Sequence, residues 1–227
     1  MEQFTIQPNG YLRQSIRGFY HSEYIGGTGR WSQPGTIENI ICILKNDITP
    51  YPINVLQNTA QKLTEILNND LPRISAIINR TNLTVCVIPR AKVNYNANQL
   101  IFKTTVSEVV NRLQGFNNGT NYILRTIDTK TTHLKWGISG GGAGRLPYPG
   151  ITNETCTISD DVRGKHILLI DDLYTNSVNI DEDAIQALLS KGANSVVFYA
   201  VGNTVKRTNE PPAQVIRTLP DNDDLPF

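Results

Sequence analysis

Cysteine, methionine and histidine are scarce in this 227-residue chain, and each scarcity removes a class of chemistry. The three cysteines, Cys42, Cys86 and Cys156, stand far apart with no Cys-x-x-Cys pair. That spacing argues against a zinc site, a dithiol redox motif and a disulfide framework. Cys42 and Cys86 lie inside apolar runs and read as buried structural thiols. His21, His133 and His166 share no ligand or triad spacing. An excess of charge of one sign is also missing: 21 Lys and Arg against 20 Asp and Glu leave a net charge of +1, with no basic block to mark a nucleic-acid footprint. No run approaches the ~18 apolar residues of a membrane span. The start Met1-Glu2-Gln3-Phe4 does not open the pattern of a secretory signal. A soluble, cytoplasmic protein with reduced thiols is expected.

Two glycine clusters lack the continuation a nucleotide loop needs. Gly140-Gly141-Gly142-Ala143-Gly144 is not followed by Lys and Ser or Thr, and after Gly26-Gly27-Thr28-Gly29 the run Arg30-Trp31-Ser32-Gln33-Pro34 cannot begin the required helix. The first cluster reads as loop or hood.

The length fits one sizeable α/β domain with at most a small appendage. Residues 1–36 are turn-rich, with Phe19, Tyr20, Tyr24 and Trp31 suited equally to stacking on a base or to a small N-terminal core. Helical spacing begins with Ile37, Ile40, Ile41 and Leu44 and ends at Lys45-Asn46. A second helix is expected over 54–68, a buried strand over 83–88 closed by Pro89, a helix over 102–113 and a strand at Tyr122-Ile123-Leu124. Residues 126–161 are long, polar and glycine-rich, as functional loops are. The clearest unit follows: an apolar strand over 167–170, a polar loop over 171–179, a helix over 180–191 stopped by Gly192, and a strand over 195–201. Strand, helix and strand in so few residues imply a parallel crossover. A continuous apolar strand needs cover on both faces, so 167–170 is expected at the sheet centre, between 83–88 and 195–201. Residues 37–205 form the expected domain, and 206–227 an irregular tail.

Ile167-Leu168-Leu169-Ile170-Asp171-Asp172-Leu173-Tyr174-Thr175-Asn176-Ser177-Val178-Asn179 carries the chemistry. It delivers two carboxylates to a strand's carboxyl end, where open α/β sheets place their ligands, and then leads polar side chains into a helix N-terminus. Acids beside an anion cradle suit a sugar phosphate. An Asp-Asp pair after a strand also occurs in response regulators and metal-dependent phosphatases.

This segment resembles the phosphoribosyl-pyrophosphate (PRPP) motif of type I phosphoribosyltransferases, and Val87-Ile88-Pro89-Arg90 and Ile37–Lys45 resemble parts of the ComF-like branch. The resemblance spans residues 37–201 and implies an α/β parallel-sheet fold with helices on both faces and a small hood. It further implies transfer of ribose 5-phosphate between PRPP, or a nucleoside monophosphate, and a nitrogen base or amine. Asp171 and Asp172 would orient the ribose and, through its hydroxyls or water, assist magnesium. Thr175, Asn176, Ser177, Val178 and Asn179 would bind the 5′-phosphate, and Arg90, Ala91, Lys92, Arg125 and Lys130 the pyrophosphate. Family members often pair, so a homodimer is an expectation. The phosphate loop departs from the family's Thr-Thr-Gly pattern, with Asn176 for the second Thr, Ser177 at the Gly and Asn179 at the final hydroxyl residue. A side chain at the Gly position crowds backbone approach to a phosphate. The alternative is therefore a non-catalytic PRPP- or nucleotide-binding module that regulates a protein partner, or an interaction domain with a vestigial site.

Overall fold

The computed structural model describes residues 1–47, 50–129, 150–152, 154–176 and 178–205. In chain order it contains β1 (Glu2–Ile6), β2 (Ile16–Tyr24), α1 (Ile37–Lys45), α2 (Ile53–Ile77), β3 (Leu83–Val87), α3 (Ile101–Arg112), β4 (Phe116–Asn118), β5 (Ile123–Arg125), β6 (Cys156–Ile158), β7 (His166–Tyr174), α4 (Ile180–Ser190) and β8 (Ser195–Thr204). Six strands form a mixed sheet in the order β1-β2-β8-β7-β3-β4, and β5 and β6 form a separate antiparallel pair. Within the large sheet only β1 runs antiparallel to its neighbour. The protein is thus α/β with a mostly parallel sheet.

The apolar run of β7 explains its position. Ile167 and Leu169 face one core, with Ala184, Ile185 and Leu188 of α4. Leu168 and Ile170 face the other, with Ile41 and Leu44 of α1, Leu67 and Leu71 of α2, and Val106 and Val110 of α3. Alternating side chains of one strand feed both layers, so β7 is central between β3 and β8, as its composition predicts.

Four expectations change. The strand carrying the acids does not stop at Ile170: β7 continues to Tyr174 because its ladder with β8 persists through Asp171↔Ala200, Leu173↔Gly202 and Tyr174↔Asn203. Residues 1–36 are not only turns, since β1 and β2 extend the main sheet, with β2 parallel to β8 from Gly18↔Phe198 to Tyr24↔Thr204. The helix expected over 54–68 runs to Ile77, through Pro72, because Leu71 and Ile74 prolong its buried stripe. The stretch 126–161 contains β6 and a short 3-10 turn, Asp160–Val162. Residues 130–149, which include His133 and Gly140–144, and the tail 206–227 lie outside the described residues.

One glycine helps to seat the site. A Cβ at Gly202 would meet Ile41 Cδ1 at 2.9 Å and Leu173 Cδ1 at 3.1 Å, so its bare backbone lets α1 lie close over β8. Helix α1 starts at Thr36, whose hydroxyl accepts from the Asn39 N–H (3.2 Å), and stops at Asn46 in the left-handed region (φ 47°). These two ends deliver Lys45 to the carboxyl edge of the sheet.

Candidate functional site

The carboxyl ends of β3 and β7 open into a cleft of two lobes, about 260 and 230 Å³. Lys45, Pro89, Arg90, Arg125, Asp171 and Asp172 line both. The first lobe continues over Thr175, Val178 and Ile180 to Asp181, and the second over Leu100 and Phe102 to Lys103.

Asp171 and Asp172 are half-buried on the cleft floor. The Asp172 N–H donates to Asp171 Oδ1 (2.8 Å), and Lys45 Nζ lies 3.1 Å from Asp172 Oδ1. Burial, then the Asp172 charge, push the Asp171 carboxyl up to about 7 against the pull of Lys45. Burial alone would lower Lys45, but the charges of Asp172 and Asp171 outweigh it and hold the ammonium above its ordinary value. Asp181, in the first turn of α4, is 2 % exposed and lines the first lobe with Asp171. Its burial, with the charges of Asp171 and Glu182, raises it well above the ordinary carboxylate value. Asp181 Oδ1 and Glu182 Oε2 are buried without a hydrogen-bond partner among the described residues. Glu182 Oε1 accepts from the Tyr174 hydroxyl (2.9 Å), and Asp183 Oδ2 from the Ile151 N–H (2.9 Å).

The proposed phosphate loop is only partly drawn into the cleft. Thr175 and Val178 line the first lobe, and the Val178 N–H closes a turn onto the Thr175 carbonyl (2.9 Å). The Thr175 hydroxyl is shared with Thr204 (2.8 Å). Asn176 is exposed, and Ser177 lies outside the described residues. Asn179 caps α4 in the left-handed region (φ 61°), with its Oδ1 accepting from Asn9 Nδ2 (3.1 Å). Asparagine tolerates this conformation and threonine does not, which accounts for the missing hydroxyl residue.

Among the residues expected to take pyrophosphate, Arg90, Ala91 and Arg125 line the first lobe and Lys92 the second. Lys130 lies outside the described residues. Arg90 is held by the protein itself: Nη1 donates to the Lys45 carbonyl (2.7 Å), Nη2 pairs with Asp47, and the guanidinium carbon sits 4.1 Å from the Tyr95 ring centroid. It therefore ties α1 to the β3 loop and positions Lys45. Arg125 Nε donates to the Arg90 carbonyl (3.0 Å) and Nη1 to the Gly150 carbonyl. Lys92 Nζ donates to the Thr129 carbonyl (2.9 Å).

Lys45, Asp181, Tyr95 and Lys103 belong to the cleft and escape the sequence reading. Lys45 carried a signal, a cation ending an amphipathic helix. Asp181 carried one too, an acid opening the helix after the loop.

Among the described residues no group of three His, Cys, Asp or Glu stands ready to hold a metal, and no helix is long and apolar enough to cross a membrane. Comparison with known proteins finds no matching family model, no matching curated protein and no matching solved structure.

Proposed function

We propose that this chain is a phosphoribosyltransferase of the type I fold, which binds PRPP and transfers ribose 5-phosphate to or from a nitrogen base or amine. The observation that carries the reading is Asp171 and Asp172 at the carboxyl end of a central parallel strand, in one cleft with Thr175 and Val178 just ahead of α4. Acids for ribose hydroxyls and a turn for the 5′-phosphate are adjacent there.

In the forward direction the acceptor nitrogen donates its lone pair to the anomeric carbon as the bond to pyrophosphate breaks. Positive charge develops on the ribose between those events. Asp171 and Asp172 accept hydrogen bonds from the ribose hydroxyls and favour that charge. Lys45 holds Asp172 in place through an ion pair, 3.1 Å away. The carboxylate oxygens of Asp171 and Asp172 suit magnesium, which prefers hard oxygen donors. Asp171 and Asp172 would hold the ion through ribose hydroxyls or water. When bound, magnesium neutralises the leaving pyrophosphate.

One observation favours a second reading. Asp181, Glu182 and Asp183 fill the first turn of α4, where they already answer the helix dipole and repel a phosphate when ionised. That feature weakens the hold on the 5′-phosphate that turnover needs, so the second reading is a module that holds the ribosyl ligand chiefly through Asp171 and Asp172 without turnover. Calorimetric titration of PRPP with and without magnesium, followed by a pyrophosphate-release screen against bases and amines, tests both. Binding with release supports the enzyme, binding without release supports the module, and no binding defeats both.

A further inference from the structure

The geometry points to the second lobe as the acceptor site, and to Lys103 as the residue that demands a carboxylate on a flat, otherwise apolar acceptor. This rests on the phosphoribosyl reading and adds the chemical class of the second substrate. The lobe is walled by Leu44, Val87, Leu100, Phe102 and Leu124, which suit an apolar ring. It adjoins the first lobe across Asp171 and Asp172, so a molecule held there borders the ribose position.

The lobe's other charges have partners. Lys45 is paired with Asp172 and Arg90 with Asp47, while Lys92 donates to the Thr129 carbonyl. Lys103, half-buried in the first turn of α3, has no hydrogen bond or ion pair among the described residues. Its burial works against its own charge and lowers its pKa. The half-buried ammonium stands at the edge of an apolar wall, and a ligand carboxylate seated in the lobe gives it the charge-assisted hydrogen bond that no described residue supplies. The α3 first turn adds to the preference, since it contains no acid and no side-chain cap. A neutral ring would fill the lobe but leave the ammonium unanswered.

The test uses two probes of one shape that differ in charge, benzoate and benzamide, titrated into the isotope-labelled 227-residue chain and followed by amide NMR shifts. Benzoate is expected to move the Phe102 and Lys103 amides and to bind about tenfold or more tighter than benzamide. Lys103→Gln should abolish that preference and Lys103→Arg should retain it, with the unperturbed remainder of each spectrum reporting an intact fold. Equal binding of the two probes, a preference that survives Lys103→Gln, or no benzoate binding would overturn the assignment. So would inorganic pyrophosphate that displaces benzoate and loses about tenfold in affinity in Lys103→Gln, because the lobe would then hold the leaving group. Ribose 5-phosphate tests the underlying reading separately. It should shift Thr175, Asn176 and Val178 in wild type and in Lys103→Gln alike. Its failure to bind would remove the phosphoribosyl reading while leaving the carboxylate preference of Lys103 to stand on the benzoate result.

Discussion

Asp181 is a buried acid held against another acid, and the energetics of that contact decide how the site responds to pH. Asp171 is raised to about 7, Asp183 to about 6, and Asp181 and Glu182 are raised by burial. A carboxyl whose folded pKa lies above its unfolded value costs stability as pH rises from the unfolded value towards the folded one. Asp171 and Asp183 therefore lower stability progressively from about pH 4 towards their folded values of about 7 and about 6, and Asp181 and Glu182 act in the same direction. Asp181→Asn keeps the shape and removes one ionisation beside Asp171. It should raise stability at pH 8 by at least about 1 kcal/mol, or about 2–4 °C in melting temperature, and raise it less at pH 5. Thermal melts at the two pH values check this. At the loop's end, Asn179→Thr should cost roughly 1–2 kcal/mol in denaturant unfolding, because a β-branched residue is strained at φ 61°. Loss of the Asn9 link adds to that cost.

Between elements, Asp70 clips α2 to the sheet. It is fully buried; His21 Nδ1 of β2 and the Tyr199 hydroxyl of β8 each lie 2.9 Å from its Oδ2, and Asn69 Nδ2 donates to Oδ1. Burial pushes the carboxyl up, but the hydrogen bonds from His21 and Tyr199 outweigh it and hold it below its ordinary value. Its contribution is therefore present above about pH 4 and lost as pH falls through the folded value, opposite in sign to the cleft acids. Asp70→Ala should cost roughly 3 kcal/mol in urea unfolding at neutral pH, since it strands a buried tyrosine hydroxyl. Much of the element plan was legible in sequence: α1 lies at Ile37–Lys45 as read, and the runs of β3, β7 and β8 announced buried parallel strands. What stayed hidden depends on partners distant in sequence. β1 and β2 read as turns because their short aromatic pieces gain strand character only through β8, and Tyr174 reads as loop until the β8 ladder is seen to reach Asn203.

At the scale of the whole molecule, the acids and their loop were readable because one strand-to-helix unit encodes them contiguously. The cleft around them was readable only in part, through Arg90, Ala91, Lys92 and Arg125. Lys45 arrives from α1, Arg90 from the β3 loop and Lys103 from α3, and periodicity does not reveal which helix end meets which strand end. Nor does a sequence motif reveal that Arg90 spends its donors on the protein. The central claim is that this convergence binds a phosphoribosyl ligand through Asp171 and Asp172. The measurement that tests it most directly is calorimetric titration of PRPP with magnesium into wild type and into the Asp171→Asn, Asp172→Asn double variant, with circular dichroism to verify the fold. Wild type should bind, and the folded double variant should bind about tenfold or more weakly, since it loses charge-assisted hydrogen bonds to the ribose hydroxyls. Equal affinity in the two proteins, or no heat of binding from wild type, would contradict the account.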